Sequence, residues 1–233
     1  NAVDNPVLKD VIEDCLKISL ENVPAFSGKT ISLCDNSGSA QNATTSSMGS
    51  MKISTIANLT GIVAAMRSDE GYVGVFGDDL KIVPIRKNSS IFDQLEKTEG
   101  QARSVGQSTE NGIWIFLRDA IKEKRHWDNI FVFSDMQAGH GGLYGNNPHQ
   151  YKEFSWGGYL NREHIHVPKL INKYRSEVNP NVNVFLCQVA GYKDTLIPEF
   201  YKRTYILGGW GEGLLKFAST MANMADQIQQ DQQ

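Results

Sequence analysis

Residues 31–42 read ISLCDNSGSAQN. Ile31 to Cys34 form an apolar run that stops at a carboxylate, Asp35, and two hydroxyls follow at alternate positions, Ser37 and Ser39. A short, wholly apolar run bounded by turn-forming residues is the pattern of a strand buried on both faces. An ionised side chain ends such a strand, because burying it without a partner is expensive. The alternation Asp-x-Ser-x-Ser lets three oxygen-bearing side chains converge just beyond the strand. One carboxylate and two hydroxyls are hard ligands that suit Mg2+, Mn2+ or Ca2+, whereas zinc prefers nitrogen and sulfur. The competing reading of the motif alone is a polar cap for the helix that follows.

Working outward, short apolar strands alternate with amphipathic helices. DNPVLKDVIEDCLKISLENV reads as a helix, with Asp4 or Asn5 as its cap, Pro6 in its first turn, and an apolar stripe of Val7, Val11, Cys15 and Ile18 beside Leu8, Ile12 and Leu16. TISLC is a strand, and MKISTIANLTGIVAAM is a helix with Ile53, Ile56, Ala57 and Val63 on one side. GYVGVFG and LKIVPI are strands joined through Gly77, Asp78 and Asp79, a joint short enough to make them antiparallel, with both acids read as solvated turn residues. SSIFDQLEK is expected to be a short helix and TEGQARSVGQSTENG a loop. A helix (IWIFLRDAIKEK), a strand (NIFVFSD), a long irregular stretch, a helix (VPKLINKYRSEV), two strands (VNVFLCQVAG and RTYILGG) and a last helix (EGLLKFASTMANMADQI) complete the chain. The order predicts an α/β fold: a doubly wound, mainly parallel central sheet with one antiparallel edge strand and helices on both faces. The expected organisation is an N-terminal helix and linker over 1–28, a domain over 29–228 with an insertion at 137–166, and a polar tail over 229–233.

Composition narrows the function classes. Charged residues make up 21% and the formal net charge is −3, so no general basic excess supports nonspecific nucleic-acid binding. The three cysteines, Cys15, Cys34 and Cys187, form no disulfide framework and no zinc pattern, which favours a reducing, cytoplasmic setting. No apolar run approaches the roughly 20 residues of a membrane-spanning helix. Residue 1 is Asn, and the chain is expected to have been excised from something longer.

Ligands bind such sheets outside the carboxyl ends of their strands. Asp35 and Asp135 both stand at predicted strand ends, and Thr109, in the GQST loop, can complete a five-residue set with Ser37 and Ser39. Two carboxylates neutralise a divalent cation and three hydroxyls add no charge. A cation held this way stays electrophilic and accepts an acidic group from outside.

At these residues the sequence resembles the von Willebrand factor type A family. The metal-ion-dependent adhesion site of that family has the form Asp-x-Ser-x-Ser, then Thr, then Asp, matched here by Asp35, Ser37, Ser39, Thr109 and Asp135. The resemblance covers roughly residues 29 to 228. It departs at Asn36 and Ala40, where the family often carries a hydrophobic residue or Met, which bears on loop packing and not on the ligands. VIEDCLKISLENV before the first strand, and YILGGWGEGLLKFA near the end, resemble the type A domain of the Ro autoantigen (TROVE) family. That resemblance implies a place in an RNA–protein particle, with RNA held by a helical-repeat ring absent from these 233 residues.

The segment 137–166 holds four of the five histidines, six glycines and the aromatics Tyr144, Tyr151, Phe154, Trp156 and Tyr159. A loop this long is usually functional or disordered. It is expected to be a lid over the metal, a stacking platform for bases, or a structural insertion. Tyr144 and Trp156 are the candidate ligand contacts in it. Glu110, beside Thr109, is a helix-start residue placed to orient a metal-bound water.

Three functions compete. The first is a non-catalytic docking module that takes an acidic side chain or a phosphate on Mg2+, Mn2+ or Ca2+. The second is a phosphoryl-transfer or hydrolase enzyme with Asp35 as nucleophile. Aspartyl-phosphate enzymes use a carboxylate two residues on, where this chain has Ser37. The third is a scaffold with a vestigial site.

Overall fold

The computed structural model describes residues 6–42, 51–135, 155–156, 164–165, 167–190, 202–209 and 211–231. Its centre is a six-stranded sheet in the order β3-β2-β1-β4-β7-β8. The strands are β1 (Phe26–Asp35), β2 (Ser68–Phe76), β3 (Leu80–Ile85), β4 (Asn129–Ser134), β7 (Asn183–Gln188) and β8 (Thr204–Gly208). β1 pairs in parallel with β2 and β4, and β7 in parallel with β4 and β8. β3 alone runs antiparallel, at the edge, against β2. The chain winds outward from β1 to β3, then crosses back to lay β4 on the other side of β1. That reversal is the topological switch point of a doubly wound, von Willebrand A-like or Rossmann-like fold.

Strand alternation sends the two halves of the core to opposite faces. Ile31, Leu33, Ile130, Val132, Val184 and Leu186 pack on one face with α5 (Gly112–Lys122) and α6 (Val167–Glu177). Cys34, Phe131, Phe133, Phe185 and Cys187 pack on the other, beneath α3 (Ile53–Met66), α4 (Ile91–Ala102) and α7 (Glu212–Gln230). Phe131, Phe185 and Tyr205 share one register line and stack, with centroids 4.5 Å and 5.1 Å apart. Cys34 and Cys187 are buried in this layer and Cys15 is exposed, as free thiols.

Three details depart from the sequence reading. β1 is longer than TISLC at both ends and takes in Asp35. α4 continues beyond Lys97 to Ala102, because Gln94, Thr98 and Ala102 carry one buried line along it while Gly100 faces open space. On α1 (Pro6–Glu21), Val7, Val11 and Ile18 face outward, and it is Glu13 that is buried. Its carboxylate accepts from the Ile91 amide at 2.8 Å and the Ser90 hydroxyl at 2.6 Å, and so ties α1 to the start of α4. Asp4 and Asn5, the expected caps of α1, lie outside the described residues.

Within the expected insertion, Ser155–Trp156 (β5) and His164–Ile165 (β6) form a small antiparallel pair. No helix among the described residues is long and apolar enough to cross a membrane.

A candidate metal centre at the switch point

Asp35 closes β1 and Asp135 directly follows β4, two strands paired in parallel across the switch point. Both carboxylates are completely buried. Glu110 joins them from the turn before α5. One oxygen from each of Asp35, Glu110 and Asp135 lies within 4.8 Å of the others, and all three residues are buried.

Short-range bonds fix Asp35. Its Oδ1 accepts the Ser37 amide at 2.8 Å, the turn expected of an Asp two residues before a polar group. Its Oδ2 accepts the Ser134 hydroxyl at 3.1 Å, from the neighbouring strand. Ser37 and Ser39 stand with their hydroxyls 3.2 Å apart, so the alternation seen in the sequence does bring them together. The short helix α2 (Gly38–Asn42) starts between them. Asn36, one of the two positions at which the type A resemblance departs, turns inward. Its amide exchanges two hydrogen bonds with that of Asn58, at 2.9 and 3.1 Å, and donates to Cys34 O at 3.0 Å. The loop is therefore locked to α3 by polar pairing where a hydrophobic residue would lock it by packing.

Glu110 reaches the centre because its loop is stitched to two others. Asp79 N donates to Val105 O at 2.8 Å, Gly112 N to Gly77 O at 3.0 Å, and Gly38 N to Gln107 O at 2.9 Å. The approach needs glycine at position 77, where a Cβ would stand 2.1 Å from Gly106 O. Thr109 lies one residue before Glu110 in this loop. Its hydroxyl donates to Asp78 Oδ1 at 2.7 Å and its oxygen accepts the Asn111 amide at 3.4 Å. Asp78, read from sequence as a solvated turn residue, is the anchor of that loop. It also accepts the Ser108 amide at 3.3 Å.

Burial, and after it the negative charge of Asp135, push the Asp35 carboxyl from its ordinary 3.8 up to about 6; hydrogen bonds from Ser37 and Ser134 pull the other way. Three carboxylates this close together are expensive to bury while all of them are ionised. A hard divalent cation removes that expense, and carboxylate and hydroxyl oxygens are its preferred donors. The donor set fits such an ion, and Asp35, Asp135 and Glu110 would hold it, with Ser37 and Ser39 beside them; Thr109, expected to complete the five-residue set, has its hydroxyl on Asp78. From the sequence Glu110 was expected to start a helix and orient a metal-bound water; in the structure its carboxylate belongs to the acidic cluster itself. Tyr144 lies outside the described residues, and of Trp156 only the backbone, in β5, is described.

Fold and site together define a class: a doubly wound α/β domain with an acidic cluster, able to hold a cation, at its switch point. No family model matches the sequence, and no curated protein matches it. Among solved structures, the Ro (RSR) protein of Deinococcus radiodurans superposes with a TM-score of 0.67 at 12% identity. The match covers 94% of this chain and 39% of that one, so this chain spans well under half of that protein's length. At this identity the likeness speaks for the fold alone.

Proposed function

We propose that the domain is a non-catalytic docking module in which Mg2+, or Mn2+ or Ca2+, held by Asp35 and Asp135 accepts an acidic group from a partner. The observation that carries this reading is the convergence of three buried carboxylates at the carboxyl ends of β1 and β4. The enzyme alternative asks Asp35 to attack a substrate. Both of its oxygens accept hydrogen bonds and it is fully buried, which suits a held ligand better than a nucleophile.

Glu110 adds a third negative charge. With all three acids on a divalent ion the centre is net negative and repels an acidic partner. We therefore assign Glu110 a competing role: it covers the ion in the resting domain and yields its place to the incoming acid.

The likeness to the Ro protein, together with the resemblance of α1 and of the start of α7 to that family, supports a place in a cytoplasmic RNA–protein particle. The RNA would be held by a helical-repeat region outside these 233 residues.

The test is calorimetric titration of Mg2+ and Mn2+ into the wild type and into Asp35→Ala and Asp135→Ala. Saturable binding lost in both variants is the expected result. A folded wild type that takes up neither ion overturns the proposal.

A further inference from the structure

The face that carries the carboxylates also carries a cleft of about 290 Å³, lined by Asn36, Gln41, Lys52, Ser54, Thr55 and Arg103. Asn36 is the shared wall, since it directly follows Asp35 and its amide is held rigid against Asn58. The cleft opens on the first turn of α3, a helix of 14 residues. The N-cap residue of that helix, Lys52, is extended and makes no side-chain capping bond. The first backbone bond of the helix runs from Ile56 N to Lys52 O, so the earlier amides are the donors that a helix start leaves over. Such a helix start favours an anion.

A second observation points the same way. Ser54 lines the cleft, is 5% exposed, and its hydroxyl makes no hydrogen bond to any described residue. The two cations on the cleft, Lys52 and Arg103, form no ion pair among the described residues. The single acid described on the wall, Glu99, accepts the Thr55 hydroxyl at 3.1 Å. Two cations, a helix start and the open hydroxyl of a buried serine thus face one acid, on a chain whose net charge is −3.

We infer that this cleft is a phosphate subsite. The ligand of this face then carries a phosphate, which sits in the cleft while a second acidic group reaches the carboxylate centre. The second half of that statement rests on the docking function proposed above; the first half does not, because the cleft uses none of the three carboxylates.

The experiment is titration of the whole domain with inorganic phosphate in EDTA, followed through the backbone amide resonances of Ser54 and Thr55. Saturable shifts at both are expected. They should weaken at least about tenfold in the Lys52→Ala/Arg103→Ala double variant and persist in Asp35→Asn. Thermal melts establish that each variant folds. Absence of shifts at these amides, or equal affinity in the folded double variant, overturns the subsite. With Mg2+ present, single-stranded hexauridylate should outcompete a glutamate-rich peptide, and the reverse order overturns the assignment of ligand class. Phosphate binding in EDTA by a domain that takes up no Mg2+ would sink the docking function and leave the cleft standing.

Discussion

Asp35 holds opposite consequences for the empty and the loaded domain. Its carboxyl titrates near 6 in the fold and near its ordinary 3.8 in the unfolded chain. A raised folded value means the metal-free fold holds the proton more tightly than the unfolded chain does. The contribution of this group is therefore fully present below about pH 4 and is lost as pH rises through about 6. A cation needs the ionised form, so metal binding changes in the reverse sense and weakens as pH falls through the same window. Urea unfolding between pH 4 and 8, with EDTA and with saturating Mg2+, should give two curves that diverge as pH rises. Asp35→Asn should raise the stability of the metal-free domain at pH 7.5 by roughly 1–2 kcal/mol, because it removes a buried like charge. An asparagine there keeps an acceptor for the Ser37 amide. The same variant should lose all stabilisation by Mg2+. Glu110→Gln is expected to separate two affinities. The bare ion should bind more weakly, while acetate or an acidic peptide should bind the Mg2+-loaded domain more tightly, and calorimetry on both steps reads the split. Parallel loss of both affinities would remove the competing role assigned to Glu110.

At the scale of elements, the loop from Gly106 to Asn111 decides how many acids meet. Gly77→Ala would set a methyl group against the Gly106 carbonyl, with backbone and not a flexible side chain in the way. The expected outcome is a loop displaced by a few tenths of an ångström or more, a Mg2+ affinity at least about tenfold lower, and a loss of roughly 1–3 kcal/mol in urea unfolding. Calorimetry of a variant that binds Mg2+ as the wild type does would show that the loop position is immaterial. The same loop marks where sequence reading succeeds and stops. Asp35 and Asp135 were legible because each directly ends a short apolar run, and a strand end is a local signal. Ser37 and Ser39 were legible from their spacing alone. Glu110 was read as a residue near the metal that orients water; that its carboxylate joins the cluster itself was not legible, since this depends on Val105 bonding Asp79, Gln107 bonding Gly38 and Gly77 admitting a backbone, three contacts distant in sequence. Asp78 was read as a solvated turn residue for the same reason, because its partner, Thr109, is 31 residues away. The extension of α4 was hidden by Gly100, a residue that ends helices more often than it continues them; here it faces solvent and leaves the buried line through Thr98 and Ala102 intact.

For the whole molecule, the fold class was legible because the central strands β1, β4 and β7 are apolar on both faces and amphipathic helices alternate with them. The direction in which α1 turns its apolar side was not, because Glu13 commits that helix to α4 through two hydrogen bonds. The winding reversal that brings β4 beside β1 also sets when a cation can act. Ser134 bonds Asp35 across 99 residues of chain. No short fragment contains the centre, and none of the unfolded ensemble presents it. Closing so long a loop is entropically slow, and the ion gains its ligands only after the two strands have found their register. An interaction absent from the transition state alters the rate of leaving the native state and not the rate of reaching it. In stopped-flow experiments Mg2+ should thus leave refolding unchanged and slow unfolding, by about a hundredfold when the free ion is a hundred times its dissociation constant. The cation would then act as a clasp fastened last, lengthening the lifetime of a domain that assembles without it.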